Sequence, residues 1–223
     1  MVETIRLESG HTLTGIVGSN PTLSAIISRG AAMISRKLSG ILFALLLAIP
    51  ALAAERSIDS AASTLTVKVA KTGLFSAFAH NHEISAPITA GTVNDGDNAS
   101  VKFYVNARGM KVLDPEASAS TRTEVQNNML SAQVLDTQQY PEIAFESTSV
   151  QPADGGAYTV SGNLTLHGQT HPVQVNVKQS GASKYEGSAK LKQTTFGIQP
   201  ISIGGGAVKV KDEVEIVFTI ALQ

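Results

Sequence analysis

The chain has 223 residues, with 17 basic and 18 acidic side chains, a formal net charge of -1, five histidines and neither cysteine nor tryptophan. That balance gives no electrostatic pull toward nucleic acid or an acidic membrane surface. The missing cysteines exclude a disulfide framework, thiolate metal sites, cysteine nucleophiles and a lipid anchor added after export.

From Met33 the sequence runs "MISRKLSGILFALLLAIPALAAERS". Arg36 and Lys37 form a basic region, an apolar run follows, Pro50 breaks it, and "ALA" at 51–53 supplies the small residues of a cleavage site. This is the three-part pattern of a secretory signal. The run from Ile41 to Ala54 has 14 residues, short of the ~20 that span a bilayer. The expectation is therefore cleavage before Ala54 and export to the periplasm. Residues 1–32 are polar and without a period, and read as a leader ahead of the true start at Met33. The organisation expected is a leader (1–32), a signal (33–53) and one domain (54–223).

From Ser57 onward the dominant hydrophobic period is two. "STLTVKVAK" puts Leu65, Val67 and Val69 on one face, and the stretch around Ile84 and Ile88 follows. "SVKFYVNAR" aligns Val101, Phe103 and Val105, and "EIAFES" aligns Ile143 and Phe145. "AYTVSGNLTL" aligns Tyr158, Val160, Gly162, Leu164 and Leu166, and "PVQVNVKQS" aligns Val173, Val175 and Val177. "KYEGSAKLKQ" aligns Tyr185, Ala189 and Leu191. The last run aligns Val208, Val210, Val214, Ile216, Phe218 and Ile220. That makes eight strands, each with one apolar face, as in an antiparallel sheet wetted on one side. Pro87 donates no ladder hydrogen bond and predicts a bulge or break in the second strand.

One segment, "DPEASASTRTEVQNNMLSAQVLDTQQYP", does not alternate. Asp114 suits a helix cap, Pro115 a first helical position, and Val125, Met129 and Leu130 one helical face. It predicts a helical excursion between the third and fourth strands, reaching roughly to Ala132. The other connections, "NDGDN", "ADGG" and "SGAS", are turn chemistry. Eight meandering strands close into a barrel because closure removes the edges, and such a barrel is either filled by side chains or holds one small ligand.

In up-and-down order the long connections fall at one end. These are "GLFSAFAHNH", the helical excursion, "HGQTHP" and "FGIQPISIGGG", so His80, His82, His167 and His171 gather near one rim. A His-x-His pair, His80 and His82, admits a metal-binding or metal-dependent enzymatic reading. Against it, no carboxylate or thiolate cluster completes the site, and the first and fifth hairpins lie on opposite sides of an eight-stranded ring. No nucleophile elbow, phosphate loop or cofactor motif is present.

The motifs "YPEIAFES", "GNLTLHGQTHPV", "TTFG" and "VKDEVEI", in this order and spacing, resemble the YceI-like polyisoprenoid-binding proteins from about Ser57 to Gln223. The resemblance implies a lipocalin-like antiparallel barrel in the periplasm, non-enzymatic, with an isoprenoid chain or a quinone-like molecule in its cavity and transient membrane contact. Around "FAHNHEIS" the chain departs from the plainer Gly and Phe stretch of that family, which bears on the head group accepted. On this reading Val67, Phe103, Phe145, Leu164, Leu166 and Phe218 form the wall. Phe75, Phe78 and Phe196 stand at the rim or upper cavity, and His82 meets a polar head group. A structural envelope module without ligand, including a homodimer, is the remaining alternative.

Overall fold

The alternating Val, Ile, Leu and aromatic runs fold as strands because each can bury one face of a pleated sheet while Lys, Glu, Thr and Ser cover the other. The computed structural model describes residues 55–72 and 81–223. In chain order the strands are β1 (Arg56–Ser57), β2 (Thr64–Thr72), β3 (His82–Ser85), β4 (Ile88–Asn94), β5 (Ser100–Asn106), β6 (Lys111–Val112), β7 (Glu142–Ala153), β8 (Ala157–Leu166), β9 (Gln169–Gly181), β10 (Lys184–Lys192), β11 (Ser202–Ile203) and β12 (Val208–Ala221). The helix α1 (Ala119–Leu130) lies between β6 and β7.

The strands form one sheet in the order β1-β4-β5-β7-β8-β9-β10-β12-β2-β3-β6, with β11 on β12, and every pairing is antiparallel. β3 and β4 stand toward opposite ends of that path, yet only Ala86 and Pro87 separate them. The sheet therefore curls back on itself into a barrel-like wall. β1 and Ile58 help to draw its two sides together. Ile58 N–H donates to Gly91 of β4 at 2.9 Å, Asp59 N–H donates to Ala221 of β12 at 2.8 Å, and Ile58 bridges Leu222.

The fold is all-β with a single α-helix among the described residues, but the sheet has twelve strands rather than eight. Two causes account for the difference. The second expected strand is broken at Ala86–Pro87 into β3 and β4, with a register shift between Ile88 and Ala90, as a residue without an N–H requires. And β1, β6 and β11 are two residues long, too short for a period to register.

The helix also starts later than its sequence suggests. Ser118, not Asp114, is its N-cap, accepting from Thr121 N–H at 3.1 Å. The excursion is clasped to the sheet by Gln126. Its Nε2 donates to Met110 O at 2.8 Å and its Oε1 accepts from Val112 N–H at 2.8 Å. Met110, Met129 and Leu135 are thereby buried over one end of the barrel, beside Ile198.

"HGQTHP" is not a long connection. β8 and β9 are joined by His167 and Gly168 alone, at φ 52° and 71°, the positive φ pair of a tight hairpin turn. His171 lies inside β9, opposite Leu164.

Candidate functional site

The inward faces enclose a cavity of about 360 Å³, within the range of small-molecule sites. Its wall is built by strand parity. Val67, Phe103, Phe145, Leu164, Leu166 and Phe218, all expected there, line it. So do Met110, Met129, Leu135 and Ile198 at the α1 end. Two strand glycines make room for aromatic rings. A Cβ on Gly162 would lie 2.5 Å from Phe145 Cζ and 2.6 Å from Glu146 O, and one on Gly187 would run into the Phe218 ring. Phe103 and Phe145 stack at 5.4 Å on paired strands.

Phe196 is in another place. It is fully buried and edge-on to His171 at 5.3 Å, where β9 and β10 cease to pair beyond Asn176 and Ser188. It fills the sheet there and is not part of the cavity wall. His167 Nδ1 lies 3.1 Å from Phe196 O, and its ring meets Tyr140 edge-on at 4.8 Å. Phe75, Phe78 and His80 lie outside the described residues.

His82 shares the parity of Ile84, as expected, facing Val69 across β2 and β3. Its ring is not part of the wall. Nδ1 lies 2.6 Å from Asp114 Oδ2, and Asp114 Oδ1 accepts from Glu83 N–H at 2.8 Å. Asp114 is 4% exposed, at φ 20°. The histidine thus ties β3 to the segment leading into α1. Asp114 is the partner that the sequence reading assigned to helix capping. Among the described residues no group of three or more His, Cys, Asp or Glu could hold a metal ion.

Most polar side chains of the wall cluster at the opposite end from α1. Asn94, Asp95, Ser100, Tyr158, Gln179 and Tyr185 stand where β4 turns into β5, β7 into β8 and β9 into β10. Tyr185 OH donates to Asp95 Oδ2 at 3.2 Å, and Arg56 Nη1 stands 3.7 Å from the same oxygen. Burial, then the Asp95 charge and the hydrogen bond to it, push the Tyr185 phenol above its ordinary value. By sequence the polar rim falls at the histidine end instead. The signal for the other end was present in Tyr158 and Tyr185, inward by parity and close to plain turns.

An all-β wall curled round an apolar cavity with one polar end makes an open barrel whose interior side chains leave unfilled. The chain matches the YceI-like domain over residues 57–222 and belongs to that family. A UPF0312 protein of Vibrio cholerae serotype O1 (strain M66-2) is 33% identical over 96 residues, 39% of this chain and 51% of that protein. A UPF0312 protein of Azotobacter vinelandii is 31% identical over 121 residues, 49% of this chain and 63% of that protein. The chain thus spans about half or somewhat more of the curated relatives it matches. Among solved structures, Burkholderia cenocepacia BcnA overlays with a TM-score of 0.56 at 20% identity, covering 73% of this chain and 98% of that one, a likeness of fold. A polyisoprenoid binding domain from Saccharophagus degradans, implicated in plant cell wall breakdown, overlays with a TM-score of 0.49 at 15% identity, covering 77% and 98%.

Proposed function

We propose that the protein is a non-enzymatic binder of an amphipathic lipid, an isoprenoid or similar chain, that acts in the periplasm after removal of residues 1–53. The observation that carries this reading is the apolar cavity, walled by Val, Leu, Ile, Met and Phe from nearly every strand. The motifs shared with the YceI-like family and the export pattern from Met33 support it.

The cavity also sets a scale. At about 360 Å³ it lies toward the small end of ligand sites, which run from ~300 to ~1,000 Å³. Because an isoprenoid chain already rests in a membrane, moving it into the barrel exchanges one apolar medium for another. The preference then comes from shape and from the polar end, not from the hydrophobic transfer of ~0.8 kcal/mol per methylene.

Thermal unfolding with added farnesol tests the binding. A ligand at about a hundred times its Kd adds ~2.7 kcal/mol to stability, and at ~2–4 °C per kcal/mol for a domain of this size the Tm rises by about 5–10 °C. An unchanged Tm at every concentration overturns the reading. The intact mass of the exported protein tests the rest, with a chain beginning at Ala54 expected and one beginning well before it contradicting the processing proposed.

A further inference from the structure

We propose that the cavity end formed by Tyr185, Asp95 and Tyr158 is a head-group site selective for uncharged, hydrogen-bond-donating heads over anionic ones. This rests on the chain-binding reading above and deepens it.

Among the described residues, the wall offers a polar head few places. At the α1 end it presents Met110, Met129, Leu135 and Ile198, all buried. A hydroxyl or amide placed against them would lose its water and gain no partner, an unfavourable exchange. Two polar wall residues stand near the end of β10, and both are engaged. Lys190 is 66% exposed and pairs with Glu213 at 3.3 Å, and Gln193 Nε2 donates to Lys211 O at 2.8 Å. The remaining polar wall residues share the end opposite α1.

The chemistry of that end selects a charge. Asp95 is a carboxylate with acceptor capacity beyond its bond from Tyr185. The cation beside it, Arg56, is already used. Its Nε donates to Gln223 O at 3.2 Å, and Nη2 donates to Ser183 Oγ at 2.7 Å and Gln223 O at 3.1 Å. An anionic head entering here meets the Asp95 carboxylate, and the one cation beside it is held by Asp95 itself, at 3.7 Å from Nη1, and by Ser183 and Gln223. A neutral head carrying an O–H or N–H donates to Asp95, and can accept from the Tyr158 hydroxyl or the Gln179 amide. Burial first, and then the same Asp95 charge, raise the Tyr185 phenol, since a second negative charge there is disfavoured.

The test compares dodecanol with dodecanoate, two probes of one tail length, by calorimetric titration at mildly alkaline pH where dodecanoate is ionised. The wild-type protein is expected to prefer dodecanol by about tenfold or more, the scale of one charge-assisted hydrogen bond. Asp95→Asn removes the charge and keeps the shape, and should narrow the gap to about threefold or less, chiefly through tighter dodecanoate binding. Tyr185→Phe leaves the carboxylate in place and should retain the preference, which separates charge selection from mere disturbance of the turn. Equal binding of the two probes by wild type, a preference for dodecanoate, or a preference that Asp95→Asn leaves intact each overturns the head-group site while the chain-binding reading stands. If neither probe binds, the chain-binding reading itself fails.

Discussion

Phe145 and Glu146 are adjacent in β7 and face opposite sides of the wall, so one pair of substitutions tests the inward parity on which the cavity rests. Phe145 is 4% exposed, lies across from Leu164, stacks on Phe103 at 5.4 Å and covers Gly162. Truncating a buried Phe costs about 3–5 kcal/mol. Phe145 already borders open space, which favours the lower part of that range, because the vacated volume joins the cavity instead of sealing a new void. Phe145→Asp adds a carboxylate among apolar side chains, at several kcal/mol or the cost of keeping it protonated. Against a total stability of about 5–15 kcal/mol, the variant should melt at least ~10 °C lower or fail to fold cooperatively. The Glu146 side chain is 67% exposed, its only described ion pair a 3.9 Å contact with Lys102. Glu146→Lys loses at most about 1 kcal/mol, a few degrees. Thermal unfolding followed by circular dichroism reads both. Equal losses for the two variants would mean that the wall faces the other way.

Three further outcomes follow from single contacts. Gly162→Ala forces a Cβ against the Phe145 ring and the backbone oxygen of Glu146, and should cost about 1–3 kcal/mol in urea unfolding, as overpacking does. Asp114→Ala strands His82 and the Glu83 N–H, and should lower stability by about 1.5–3 kcal/mol. Chain binding should survive it, because neither His82 nor Asp114 lines the cavity. Asp212 accepts from Thr194 N–H at 2.9 Å and Thr194 Oγ1 at 2.8 Å, and the backbone bond leads in holding its carboxyl below the ordinary value. Its folded pKa is depressed, so its contribution is present above the unfolded pKa and is lost as pH falls through the folded one. Asp212→Asn should therefore flatten the acid limb of a stability-pH profile and leave the slope near neutrality unchanged.

The wall was legible in the sequence because its signal is local. Period two in "FYV", "EIAF" and "NLTL" fixes which side chains share a face, and the inward residues of these runs line the cavity, whereas Ile88, Val208 and Val210, aligned by the same period, do not. Pro87 announced its own break for a reason equally local. What the chain order left open was which end of the barrel each contact would close. Asp114 reads as a helix cap by type and position, but it is buried against His82, 32 residues away. "HGQTHP" looks like a long connection until the positive φ of His167 shortens it to a two-residue turn. Phe196 is aromatic at a rim position by sequence, whereas the divergence of β9 and β10 makes it a plug in the sheet. The polar end is hard to read from sequence because tyrosines at strand starts carry no motif, whereas the histidines of the other rim stand out by type.

The central claim is that the cavity holds an amphipathic chain, and native mass spectrometry of the protein recovered from its own compartment tests it most directly. The account expects a species heavier than the polypeptide by the mass of one lipid, stripped to bare protein under collisional activation and restored by adding farnesol. A protein that is always bare and gains no mass when offered farnesol would contradict it.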